Sequence, residues 1–286
     1  MIQKLEKGSR VGLVCCSNGQ KSGWKGKLEE LSRVLRELGL EPVYSEYIFE
    51  RDGVFSGTAK ERAASLMEFY RDPSVKVVFD ISGGDIANEI LPELDFDVIG
   101  RSGKQFWGYS DLTTIINAIY TKTGKASVLY QVRNLIYDCR ERQRAEFRET
   151  VLGGGDSLSR ISARYIQGDY MEGTVVGGNI RCFLKLAGTP YFPDLSDKIL
   201  LLEAYGGGIA QMTTYFSQLR QIGAFGQAAG ILLGTFTELD QSGDAAKLEP
   251  LVLRSAGPEI PVARTSDIGH GTDARAAVIG ARMEIG

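Results

Sequence analysis

The stretch "FWGYSDLTTIINAIY", residues 106–120, decides how this chain is read. An apolar, aromatic run reaches Gly108, Ser110 and Asp111 follow, and Leu112, Ile115, Ile116 and Ile119 then recur at helical spacing. A buried strand turning sharply into a helix is the building unit of a doubly wound sheet. A Ser-Asp pair in front of a helix ordinarily caps it. The same residues also match the first three positions of G-x-S-x-G, the nucleophile elbow of hydrolases, with Asp111 in place of the second glycine. Ser110 is therefore either a cap or a nucleophile held out on a strand-to-helix turn.

Outward from this stretch, strand and helix signals alternate. "RVGLVCCS" reads as a strand, "WKGKLEELSRVLRELG" as an amphipathic helix stopped by Gly39, and "EPVYSEY" as a second strand. A helix around "AKERAASLMEFYRD" ends near Pro73. "VKVVFDIS" is a near-continuous apolar strand of the kind buried on both faces of a parallel sheet, followed by "GGD" and the helical "IANEILPEL". A further strand is expected near "ASVLYQ". The order predicts an α/β domain over residues 1–137. Residues 138–160, with the charged "DCRERQRAEFRETVL" as a solvated surface helix and the loop-like "GGGDSLSR", are expected to be a linker. Residues 161–286 read as a second, α+β domain. Its strands are "ISARYIQGD", "MEGTVVGGN", "KILLLEAYG", "GILLGTF", "PVARTSD" and "AAVIGARMEI", and its helices are "IRCFLKLAG", "IAQMTTYFSQLRQIG" and "LEPLVLRSAG".

Composition narrows the function. The 286 residues are 43% hydrophobic and 24% charged, ordinary for a globular protein with a sizeable core. A net charge of −3 gives no nucleic-acid footprint. No apolar run approaches the roughly 18 residues that cross a bilayer, so no membrane partner is expected. The early "VGLVCC" is too short for a signal peptide, and a cytoplasmic location is expected. Cys15, Cys16, Cys139 and Cys182 form no CxxC pair, and His270 is the sole histidine, so neither a metal site nor a disulfide framework is indicated.

In α/β sheets ligands bind beyond the carboxyl ends of strands. Two loops of the first domain fall there: "ISGGD", residues 81–85, and "GYSD", residues 108–111. Were Ser110 a nucleophile, the Asp111 N–H at the helix start and an N–H of Gly83 or Gly84 could form an oxyanion hole. A serine hydroxyl needs a base, and only His270, flanked by glycines in "SDIGHGTD", could be an imidazole base. Glu203, closing the apolar "KILLLE", could orient that imidazole, or could simply reach water at a strand end. The Asp111 side chain is expected to cap the following helix.

The set "GYSD", "VVGGN", "LLLEAYGG" and "DIGHG", in this order, resembles the LD-carboxypeptidase family of serine peptidases, which includes the microcin C immunity peptidases. "SGGDIANEILPELDFDVI" is similar to that family's glycine loop and the helix after it. The resemblance runs along nearly the whole chain. It implies a Rossmann-like N-terminal domain, similar to class I glutamine amidotransferases, and a swivelling β/β/α C-terminal domain, commonly in a homodimer. It implies Ser110 as nucleophile, Glu203 as orienting carboxylate, His270 as general base, and the N–H groups of Gly84 and Asp111 as oxyanion donors, with no cofactor. The implied substrate is a small murein peptide ending in L-Lys or diaminopimelate followed by D-Ala; a peptidyl-nucleotide is the alternative within the family, and a non-catalytic binding module the alternative outside it. This chain departs from the pattern at Asp85 in the glycine loop, at "YQVRN" where many relatives have Gly-Pro, and in its short interdomain stretch. A carboxypeptidase must bind a terminal carboxylate, and Arg133, Arg181 and Arg264 are candidates.

Overall fold

The computed structural model describes residues 1–286. Its twelve strands form two six-stranded sheets. The first contains β1 (Arg10–Val14), β2 (Glu41–Tyr44), β3 (Val75–Asp80), β4 (Gln105–Gly108) and β5 (Ser127–Leu129), all parallel, with β11 (Ala277–Ile279) antiparallel on the β5 edge. The order is β11-β5-β4-β3-β1-β2. The second has a parallel centre of β7 (Met171–Asn179), β8 (Lys198–Ala204), β9 (Gly230–Phe236) and β10 (Val262–Arg264). Antiparallel edges close it, β12 (Arg282–Ile285) beside β7 and β6 (Arg164–Gln167) beside β10.

Most helices follow the expected patterns. α1 (Lys25–Glu37) buries Leu28, Leu31, Val34 and Leu35, and α2 (Ala59–Arg71) starts on a capping box in which Thr58 and Glu61 exchange bonds. The segment Ala87–Glu93 winds as tight single turns rather than an α-helix, because Pro92 removes a donor within it, and a short α3 (Phe96–Arg101) follows. α4 (Thr113–Thr123) is the helix of the opening stretch. α5 (Arg140–Phe147) exposes its charged face but buries Gln143 and Phe147, and Gln143 accepts a bond from the Tyr130 hydroxyl at 2.6 Å. The second sheet carries α6 (Ile180–Leu184), α7 (Ile209–Gln221), α8 (Thr237–Asp240) and α9 (Leu248–Ala256). "AAVIGARMEI", expected as one strand, is two: the turn at Gly280, with φ +87, sends β11 to the first sheet and β12 to the second.

Three apolar clusters result. Leu31, Leu35, Phe79, Trp107, Phe147 and Val151 pack on one face of the first sheet. Phe183, Met212, Phe216 and Val252 pack on one face of the second. The third joins the two inner faces, with Ile115, Ile116 and Ile119 of α4 in one cluster with Val175, Leu201 and Leu232. Polar groups fix the register of that junction. The buried Asn117 amide donates to Gly177 O at 2.8 Å and accepts from Gly177 N at 2.9 Å, and Thr113 Oγ1 accepts from Asn179 N at 3.0 Å. The start of α4, just beyond β4, is thereby held against the carboxyl end of β7. No helix is long and apolar enough to cross a membrane.

Candidate active site

Ser110 answers the question its neighbours raise. It makes no capping bond, and its backbone has φ +55, a left-handed conformation shared among non-glycine residues only with Asp197. Such a conformation costs of order 1–3 kcal/mol and persists where the surroundings impose it. The strained turn carries Oγ beyond the end of β4, where His270 Nε2 lies 3.1 Å away. His270 Nδ1 is in turn 2.6 Å from Glu203 Oε2. A carboxylate can only accept, so Nδ1 is the donor of that bond, and Nε2 is the nitrogen that faces the serine hydroxyl.

Glu203 is 1% exposed, one residue from the end of β8. The β8–β9 register shifts between Leu202 and Ala204, and the irregularity turns the carboxylate toward the imidazole. Its Oε1 has no partner. The His270 loop is pinned to β9 by the bond from Thr235 N to Ile268 O at 2.8 Å. Glycine is required at 269, where φ is +151 and a Cβ would overlap the Thr235 side chain. The imidazole lies between Tyr109 and Tyr205, with ring centroids at 4.3 and 5.1 Å. Burial, reinforced by the Glu203 charge, pushes the Tyr109 phenol well above its ordinary range, so that wall stays neutral.

The glycine loop beside Ser110 is rooted by buried Asp80, which accepts from Ser82 N at 2.8 Å and Ser82 Oγ at 2.5 Å, and from Cys16 N at 2.8 Å. Gly83 O accepts from Asn18 N at 3.2 Å and Asp85 N donates to Asn18 Oδ1 at 3.1 Å, whereas the N–H groups of Gly83 and Gly84 donate to no protein group. Gly84 has φ +129, and a Cβ there would overlap the Asn18 side chain. The expectation that the Asp111 side chain caps α4 is corrected. Oδ2 accepts from Ser17 Oγ at 2.6 Å and Ala87 N at 2.8 Å, and Oδ1 from Lys185 Nζ at 2.5 Å. The capping role is lost because these donors hold the carboxylate toward the neighbouring loops.

Ser110 opens into a cleft of about 410 Å³ lined by Gly84, Asp85, Asn179, Arg181, Tyr205 and Gln211 among others. Of the three arginines, Arg181 lines this cleft, paired with Asp85 and donating to Gly84 O at 3.0 Å. Arg264 is held by Asp240 at 2.5 Å and Glu249 at 3.0 Å in a separate pocket, and Arg133 lies over the Trp24 ring. Ser17, Asn18, Lys185 and Tyr205 escape the sequence reading. No local signal marks them, because each acquires its place from a partner distant in the chain. No group of three or more His, Cys, Asp or Glu is placed to hold a metal ion, and all four cysteines are free.

The sequence matches the model of the LD-carboxypeptidase N-terminal domain over residues 11–130 and that of the LD-carboxypeptidase C-terminal domain over residues 172–285. The chain belongs to the LD-carboxypeptidase family. This membership places it among peptidases and hence among hydrolases. It is 30% identical to a probable murein peptide carboxypeptidase of Bacillus subtilis over 97% of this chain and 89% of that one. It is 26% identical to the microcin C7 self-immunity protein MccF of Escherichia coli over 82% of this chain and 79% of that one. The structure of MccF in complex with glutamyl sulfamoyl guanosine superposes with a TM-score of 0.89 at 22% identity, covering 99% of this chain and 95% of that chain, which establishes the shared two-domain fold.

Proposed function

We propose that this LD-carboxypeptidase family member is a serine carboxypeptidase that removes the terminal D-amino acid from short murein peptides through Ser110, His270 and Glu203. The observation that carries the reading is the unbroken chain from Ser110 Oγ through the imidazole to a buried carboxylate, with Ser110 on a strained turn. Ser110 Oγ attacks the last peptide carbonyl while His270 Nε2 takes its proton. The oxyanion is received by the N–H groups of Gly84 and Asp111. His270 then protonates the leaving amine, the D-amino acid departs, and an acyl-serine remains. Water, deprotonated by the same nitrogen, attacks the ester, and collapse returns the proton to Ser110. The Glu203 carboxylate fixes the tautomer and balances the imidazolium in both halves. Arg181, alone among the three candidate arginines in lining the Ser110 cleft, supports a role in holding the free terminal carboxylate.

A peptidyl-nucleotide is the second substrate reading, favoured by Tyr205, which is 63% exposed at the cleft and offers a ring on which a base can stack. Purified protein is assayed in parallel on a synthetic tetrapeptide ending in D-Ala and on an aminoacyl sulfamoyl adenosine. D-Ala release that falls about 10⁶-fold in Ser110→Ala is the expected result. A Ser110→Ala protein that still releases D-Ala at the wild-type rate refutes the serine mechanism, and turnover of the nucleotide alone reassigns the substrate.

A further inference from the structure

We propose that Lys185, immediately after α6, is a positioning residue that sets the oxyanion-binding backbone. The inference rests on the serine-peptidase reading of the same site. Lys185 Nζ donates to Asp111 Oδ1 at 2.5 Å and to Asp85 O at 2.8 Å. It therefore touches both loops that carry the oxyanion donors, the elbow after β4 and the glycine loop after β3, while belonging to the second sheet's helices. Its side chain is 20% exposed and that of Asp111 is fully buried, so the pair is shielded rather than a surface contact.

The direction of each peptide in the glycine loop shows what the ammonium does. The carbonyl of Gly84 points to Arg181 Nη2 at 3.0 Å and that of Asp85 to Lys185 Nζ. The opposite edges of those two peptides are also tied, Asp85 N to Asn18 Oδ1 at 3.1 Å and Ile86 N to Ser17 Oγ at 3.4 Å. Ser17 Oγ in turn donates to Asp111 Oδ2. One carboxylate thus gathers Ser17, the Ala87 N–H and Lys185, and these gather the loop. The N–H groups left unengaged within this frame are those of Gly83 and Gly84, with Gly83 adjoining the Ser110 side chain. A hydrogen-bond donor stabilises a transition state only if it is already aimed when charge develops, so holding the loop from outside acts on the chemical step rather than on substrate binding. Lys185 also makes the aim depend on the seating of α6 against the first sheet's loops.

The test uses the full chain with Lys185→Met, Lys185→Arg, and the double variant Lys185→Met with Asp111→Asn, which removes the unpaired buried charge should the single variant fail to fold. The rate of Ser110 modification by a fluorophosphonate reads the oxyanion site, because its phosphoryl oxygen occupies that position. Affinity for a D-Ala-terminated tetrapeptide, measured in a Ser110→Ala background, reads binding alone. The modification rate is expected to fall about tenfold or more in Lys185→Met and in the double variant, with peptide affinity within about twofold and much of the rate recovered in Lys185→Arg. A folded Lys185→Met or double variant that is modified at the wild-type rate overturns the proposal, as does a parallel loss of modification and peptide affinity. If the wild type itself resists modification and Ser110→Ala retains full hydrolysis, the serine-peptidase reading falls and takes this one with it; a modified wild type with indifferent Lys185 variants removes this proposal alone.

Discussion

Asp111 and Glu203 are both carboxylates shut away from water beyond or at the end of a parallel strand, yet their surroundings differ. Asp111 accepts bonds on both oxygens, from a hydroxyl, a backbone N–H and an ammonium. Glu203 accepts one bond, from His270, and its other oxygen has no partner. A saturated buried charge is fixed, and its geometry can organise what surrounds it. A half-engaged buried charge is costly in the resting state, and the cost falls when a positive charge forms beside it. The first arrangement suits a frame. The second suits a reaction in which an imidazolium appears and disappears. The two carboxylates also join the lobes in opposite senses: Asp111 in the first lobe takes a cation from the second, while Glu203 in the second lobe bonds His270, which in turn bonds Ser110 of the first.

The contrast is broken most directly at Glu203. Glu203→Gln keeps size and shape but removes the charge and the guarantee that Nδ1 carries the proton. The expected loss in kcat is about 10⁴-fold, with thermal stability close to wild type. Steady-state kinetics and a melting curve on the same preparation check both halves. A loss below about tenfold, or unfolding of the variant, places Glu203 with Asp111 as a structural carboxylate.

Asp111→Asn should behave the other way. It leaves Lys185, whose side chain is 20% exposed, without its charge partner and sets an amide NH₂ among the donors that the carboxylate accepts from. Breaking a fully buried pair costs about 3–5 kcal/mol, so the loss of stability should fall toward the lower end of that range. Denaturant unfolding should register this loss, while kcat falls far less than in Glu203→Gln because the Asp111 N–H is retained. A variant of wild-type stability with a 10⁴-fold loss in rate would reverse the assignment of the two roles.

The sequence exposes one of these carboxylates better than the other. Glu203 ends "KILLLE", where an apolar strand makes a terminal charge conspicuous, and Ser110 sits in a Gly-Tyr-Ser-Asp turn before a helical pattern. The α/β alternation of the first sheet is visible for the same reason: buried parallel strands are continuous apolar runs. Asp111 is misread as a cap because its local setting is that of a cap. Its actual partners lie 94, 24 and 74 residues away, and side-chain partners at such separation leave no periodic trace. The same applies to β11, whose pairing with β5 is decided by a turn at Gly280 that sends a single apolar run into two sheets. Phe147 and Val151 are apolar positions in a charged segment, and their burial against Phe79 and Trp107 is a property of the assembled sheet.

Asp85 completes the series with the smallest expected effect. It too pairs with a cation of the α6 region, Arg181, but the two side chains are 61% and 42% exposed. The hydrogen bond from the Arg181 guanidinium, helped by the Arg181 and Lys185 charges, holds its carboxyl below the ordinary carboxylate range against the opposing effect of burial. A carboxyl lowered in the folded state contributes stability above its unfolded pKa, near 3.9, and loses it as pH falls through the folded value. Asp85→Asn should therefore destabilise the protein at pH 7 by less than about 1 kcal/mol, since solvent screens an exposed pair. The difference from wild type should vanish once the pH lies below the folded value, and it should shrink in about 1 M salt. Urea midpoints at neutral pH, at acid pH and at high salt measure all three. If Asp85→Asn costs as much as Asp111→Asn, or if the loss survives acid and salt, then burial does not separate these carboxylates, and the distinction drawn between a saturated frame and a half-engaged reactive charge loses its physical basis.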